Sequence, residues 1–175
     1  MEKSKKLVVV INGKGGVGKD TLCESINTKY KIFNVSAITP IKEIAKENGW
    51  NGEKDNKSRK FLADLKKVFT EYNDLPTKYL LEQYEDFLKS DNQVMFVHIR
   101  EAAEIQKFVN ATHKSCVALL IYNEKVNNQV YGNESDDQVD QYDYDYRYNN
   151  SAPLEQSKAE FLAFFDQIWE NHNSK

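Results

Sequence analysis

The chain has 175 residues, 40% of them apolar and 29% charged, with a formal net charge of −3 at pH 7. That size and balance predict a single globular domain over residues 1–175 with a sizeable core. The acidic balance, without a long basic run, argues against nucleic acid as a partner. Cys23 and Cys116 form neither a CxxC pair nor a zinc spacing, so both read as small buried thiols. Lysines 3, 5 and 6 precede an apolar stretch too short for a signal peptide, which runs into glycines, and no segment is long enough to span a membrane. A reducing cytoplasm and no membrane partner are therefore expected.

The first predicted strand is 7–11, all apolar. It runs into Gly13-Lys14-Gly15-Gly16-Val17-Gly18-Lys19 and then into a helix predicted over 20–30, with Leu22 and Ile26 four apart on one face. Strand, glycine-rich loop and helix in that order form a P-loop. Glycines let successive N–H groups turn into one concavity, the positive helix end adds to the field, and Lys19 adds a full charge. The ligand that fits is the triphosphate of a nucleotide. The slot after the lysine usually holds Ser or Thr for Mg²⁺; here Asp20 fills it, a carboxylate able to bind Mg²⁺ directly or through water, and Thr21 follows.

A second strand is predicted at 32–35. Thr39-Pro40 opens a helix over 41–48, proline being tolerated at a helix start, and Gly49 ends it. Residues 51–56 are a polar turn. The helix over 57–72 has Phe61, Leu62, Leu65, Val68, Phe69 and Tyr72 at helical spacing, which predicts one buried stripe. Pro76 starts another helix to 88, with Leu80, Leu81, Tyr84, Phe87 and Leu88 inward. The continuous apolar runs 94–99 and 116–122 read as strands covered on both faces, separated by a helix at 102–109. Residues 123–141 are polar, either a plain surface loop or a lid over a charged ligand. Tyrosine then alternates with Asp or Arg over 142–148, a period-two pattern predicting one strand face of packed rings. A terminal helix follows at 154–169, with Phe161, Leu162, Phe165, Ile168 and Trp169 inward. Strands alternating with helices imply a parallel, doubly wound α/β sheet of about five strands flanked by helices, the three-layer P-loop NTPase fold.

Four segments resemble the nucleoside monophosphate kinases, and within them the group holding phage-type deoxynucleoside monophosphate kinases and animal-type phosphomevalonate kinases. They are Gly13-x4-Gly18-Lys19-Asp20, the run SAITPIKE over 36–43, His98-Ile99-Arg100 at a strand end, and the Asp-rich stretch 132–148. The resemblance spans nearly the whole chain and implies ATP and Mg²⁺ as cofactors. It also implies a helical acceptor-binding insertion at about 39–90 and a lid at about 123–141. It gives donor-phosphate binding to Gly13, Lys14, Gly15, Gly16, Val17, Gly18, Lys19, Asp20 and Thr21, with Thr21 at the α-phosphate and Asp20 at the metal. Two departures stand out: His98 replaces an acidic residue that would help hold Mg²⁺ through water, and residues 123–141 hold Lys125 but no arginine.

The acceptor phosphate needs cations facing the P-loop. Arg100, at a strand's C-terminal end, is placed for this, because α/β folds bind ligands there; with Lys19 it is the candidate catalytic residue. Lys42, Arg59 and Lys60 lie in the insertion and could complete the acceptor site, or be solvated helix lysines and arginine. His98 reads as a hydrogen-bonded core histidine more than a base, and Trp50 and Tyr72 as core aromatics or walls of a base pocket. The expected activity is transfer of the ATP γ-phosphate to a small phosphorylated acceptor. A nucleoside or deoxynucleoside monophosphate is first choice, phosphomevalonate or another phosphorylated metabolite second. The alternative from another class is a nucleotide-binding regulator that has lost turnover. A GTPase-type switch is disfavoured, because Asn123-Glu124-Lys125-Val126 lacks the aspartate of a guanine-reading motif. The oligomeric state is not legible.

Overall fold

A computed structural model describes residues 5–126 and 138–174. Five parallel strands, β1 (Leu7–Asn12), β2 (Ile32–Ser36), β3 (Val94–His98), β4 (Cys116–Tyr122) and β5 (Tyr146–Asn149), form one sheet in the order β2-β3-β1-β4-β5. The helices are α1 (Lys19–Ile26), α2 (Thr39–Glu47), α3 (Asn56–Asn73), α4 (Leu75–Lys89), α5 (Ala102–Ala111) and α6 (Leu154–Asn173), with a short 3-10 turn at Val139–Gln141. The expected α/β fold is therefore the observed one.

The continuous apolar strands explain the layering. β1 is buried along its whole length and sends alternate side chains to opposite faces. Val8 and Val10 join Leu80, Phe87, Ile105 and Phe108 of α4 and α5. Leu7, Val9 and Ile11 join Leu22, Ile26, Phe161 and Phe165 of α1 and α6. The chain leaves β1 toward β2 and leaves β3 toward β4, so adjacent β1 and β3 mark the point where the winding reverses. In sheets of this kind that point opens the ligand crevice beyond the strands' carboxyl ends. Both cysteines are buried and free. Among the described residues no helix is long and apolar enough to cross a membrane.

Three expectations differ from the structure. The stripe on α3 is not buried: Val68 is 59% and Tyr72 83% exposed, and the helix has no buried residue. It packs on α2 and α4 rather than filling the sheet core, so only the Leu62–Phe69 side is partly covered. Leu88 of α4 is also exposed, beyond the reach of the sheet core. The tyrosines of 142–148 do not line one strand face. Tyr142 and Tyr144 pack with the α4–α5 side, whereas Tyr146 and Tyr148 pack on Phe161 and Phe164 of α6. The chain turns between them at Asp145, whose carboxylate accepts the Ala118 N–H at 2.7 Å and delays the start of β5 to Tyr146. Of the lid candidate, 127–137 lies outside the described residues.

Candidate functional site

The P-loop hangs between two carboxamides. Asn12, fully buried at the end of β1, accepts the Gly13 N–H through Oδ1 at 2.8 Å. Its Nδ2 donates to the Arg100 carbonyl at 2.9 Å and to the Tyr144 hydroxyl at 2.8 Å. At the loop's far end Asn150 donates from Nδ2 to the Val17 carbonyl at 2.8 Å. Gly18 caps α1 with φ +81°, and a Cβ there would lie 2.6 Å from Asn150 Nδ2. A Cβ on Gly13 would lie 2.6 Å from the Ile121 carbonyl oxygen. Both glycines are thus required by their surroundings as well as by loop geometry.

The loop opens on a cleft of about 1450 Å³ at the carboxyl ends of β1 and β3. Gly15, Gly16, Lys19 and Asp20 line it on the loop side. Arg100 after β3, Lys42 on α2, and Arg59 and Lys60 on α3 line it as well, so residues far apart in sequence share one crevice. Arg59 also donates from Nε to the Lys54 carbonyl at 3.1 Å, and Lys60 is ion-paired with Asp64. Trp50 and Tyr79 add aromatic wall, while Tyr72 points elsewhere. Gly13 and Val17 are buried beneath the loop, Lys14 is partly buried and Gly18 exposed. Thr21 is exposed on α1 and opens on a separate groove of about 470 Å³ shared with Lys158 and Leu162 of α6.

Several cations crowd the cleft, with the carboxylates of Asp20, Glu24, Glu53, Asp64 and Glu101 also along its lining. Burial lowers the pKa of Lys19, and the nearby Arg100 charge lowers it further, against Asp20. Burial also lowers that of Lys42, with Lys54 and Arg100 adding to the effect. Crowded like charges are relieved by a bound anion. His98 lies in this cleft and not in the core. Burial first, then Lys19 and Arg100, push its pKa down to about 4 against Asp20, so the ring is neutral at pH 7. Its Nε2 pairs with Asn34 Oδ1 at 3.1 Å, and its Nδ1 lies 4.0 Å from Asp20 Oδ1.

Asp20 suits a divalent ion that arrives with phosphates. Its side chain is 89% exposed at the loop's mouth, and the described residues hold no group of three or more His, Cys, Asp and Glu able to cage a metal. Mg²⁺ keeps several waters and takes one or two carboxylates plus phosphate oxygens, which that donor set fits.

Sequence reasoning missed two features. Lys66 of α3 reaches Glu101 at 2.6 Å and Glu104 at 2.8 Å, pinning α3 beside Arg100. A lysine on the covered flank of an amphipathic helix was the available signal. The amides of Asn12 and Asn150 were missed too; a polar residue closing an apolar strand was the cue for the first.

No family model and no curated protein matches the chain. Solved structures do resemble it. A tunicamycin resistance protein of Deinococcus radiodurans is 12% identical over 92% of this chain and 96% of that one, with a TM-score of 0.57. The shikimate kinase of Aquifex aeolicus is 13% identical over 91% of this chain and 96% of that one, with a TM-score of 0.56. The shikimate kinase of Bacteroides thetaiotaomicron is 16% identical over 91% and 98%, with a TM-score of 0.50. At these identities the likeness is one of fold: the chain has the fold of the P-loop kinases.

Proposed function

We propose that the protein is an ATP-dependent phosphotransferase whose acceptor is itself phosphorylated, a nucleoside or deoxynucleoside monophosphate before other phosphorylated metabolites. The observation that carries this is the cation set in one cleft: Lys19 on the P-loop side, and Arg100 and Lys42 on strand-end and insertion elements, with Arg100 near enough to add to the lowering that burial imposes on the pKa of both lysines. A donor triphosphate is served by the loop and Lys19; Arg100 and Lys42 are placed to meet a second anionic group. Phosphoryl transfer needs positioning and charge neutralisation more than covalent chemistry, and this arrangement offers both. The loop amides and Lys19 hold the donor β- and γ-phosphates. Arg100, a planar fork of donors, holds the acceptor phosphate. Asp20 orients Mg²⁺, which when bound supplies charge neutralisation on the phosphate oxygens. Trp50 walls the acceptor's organic part.

The kinase folds among the structural neighbours are consistent with this reading and leave the acceptor open. A second reading, a nucleotide-binding regulator, draws on one observation: the residue facing Asp20 across 4.0 Å is a neutral imidazole, not a carboxylate. A panel of monophosphate acceptors incubated with ATP and Mg²⁺, followed by ADP release, separates the two. Turnover selective for one acceptor supports the kinase. ATP binding without turnover on any acceptor overturns it in favour of the regulator.

A further inference from the structure

We propose that Asn150 is a positioning residue of the donor site, which aims the Gly18 N–H at the phosphates by holding the other side of the same peptide. The inference rests on the P-loop being the donor site. A trans peptide is planar, with its C=O and N–H pointing in opposite directions. Asn150 Nδ2 fixes the Val17 carbonyl at 2.8 Å, so the Gly18 N–H points away from Asn150. The left-handed Gly18 turns its Cβ direction toward Asn150 as well, where a methyl group would lie 2.6 Å from Nδ2. Asn150 therefore forms the outer wall of the loop at this point, and the amide faces inward.

The rest of Asn150 is anchored. Its Oδ1 accepts from Ser157 Oγ on α6, its N–H donates to the Tyr122 carbonyl at 2.7 Å, and its carbonyl accepts from Asn123 Nδ2 at 2.8 Å. Every polar group of the residue is thus engaged, and the carboxamide cannot swing without breaking the bond to Ser157. An asparagine suits the place because one side chain must both donate to a carbonyl and accept from a hydroxyl. Leucine keeps the volume and loses both donor and acceptor without adding charge; alanine loses the volume as well. Neither touches the phosphates.

Inorganic tripolyphosphate, which lacks base and sugar, tests the loop alone. Calorimetry on the full chain is expected to show Asn150→Leu and Asn150→Ala, which add no charge beside the loop, binding tripolyphosphate and ATP with the same proportional loss. One charge-assisted amide contact sets that loss at about ten- to hundredfold. A purely structural role would lower the melting temperature and leave the affinity of the remaining folded protein alone. Affinity within about twofold of wild type in a folded variant overturns the proposal while leaving the donor site standing. A second measurement needs no variant: in the wild-type amide spectrum, Gly18 N–H should shift downfield on adding tripolyphosphate. A Gly18 signal that stays put while Gly15 and Gly16 respond refutes the aiming role. Absence of any tripolyphosphate or ATP binding by wild type overturns the donor-site reading, and this one with it.

Discussion

Replacing Lys66 with methionine keeps the length of the side chain and removes its charge from between Glu101 and Glu104. The side chains of Lys66 and Glu104 are each only 11% exposed, and that of Glu101 30%. Breaking a buried ion pair by removing one partner costs about 3–5 kcal/mol, because the other charge is left uncompensated. The partial exposure of Glu101 puts this site at the lower end, about 3 kcal/mol near neutral pH, or roughly 6–12 °C in melting temperature for a chain of this size. The loss has a pH signature. Burial raises the Glu104 pKa above the ordinary glutamate value, and Lys66 pulls it back. A carboxyl whose folded pKa is raised contributes stability that is complete below its unfolded pKa and is lost as pH rises through the folded one. Removing Lys66 enlarges that rise, so the variant's deficit should be small near pH 4 and grow toward neutrality. Adding Glu104→Gln to Lys66→Met removes the stranded charge and should recover much of the lost stability. Thermal unfolding by circular dichroism at both pH values reads this directly. An equal deficit at both, or a double variant no better than the single one, would refute the compensated-charge explanation.

Arg100→Ala should raise the acceptor KM by about one to two powers of ten while leaving the ATP KM alone, and Arg100→Lys should recover only part, since an ammonium keeps the charge without the fork. A rise confined to the ATP KM would move Arg100 to the donor side. Asp20→Asn should raise the Mg²⁺ concentration needed for half-maximal ATP turnover; an unchanged Mg²⁺ dependence with a lower melting temperature would leave Asp20 a helix-start residue only. His98 binds its proton at about pH 4 in the folded protein against 6.5 ordinarily. The unfolded chain therefore takes up that proton first, and stability is withdrawn as pH falls from 6.5 toward 4. His98→Gln should flatten the melting-temperature profile across that window, and an unaltered slope would contradict the assignment.

The parts legible in the sequence are those with local causes. The strand–loop–helix of the P-loop, the buried strands 94–99 and 116–122, and the proline-started helices follow from periodicity and turn chemistry within a dozen residues. α3 shows where that reasoning stops. Phe61, Leu65, Val68 and Tyr72 repeat at helical spacing, but spacing says only that one face is apolar, not that a partner covers it. The alternating tyrosines failed for a related reason: the chain turns at Asp145, whose side chain takes the Ala118 N–H, and local pattern carries no trace of that distant donor. Asn12, Asn150 and the Lys66 cluster are defined by partners 35 to 133 positions away, which only the folded topology brings together. The place of Arg100 at the cleft was legible because it follows a strand's carboxyl end, where sheets of this kind open their crevice.

The most direct test is calorimetric titration of Mg²⁺-ATP into the wild-type protein and into Lys19→Ala, with unfolding followed in parallel. The proposed role of Lys19 is that of a point charge on the phosphates, so saturable one-to-one binding by wild type should be lost or strongly weakened in a variant that remains folded. Equal affinity in the two proteins, or no ATP binding by wild type, would contradict the assignment of the P-loop as a nucleotide phosphate site.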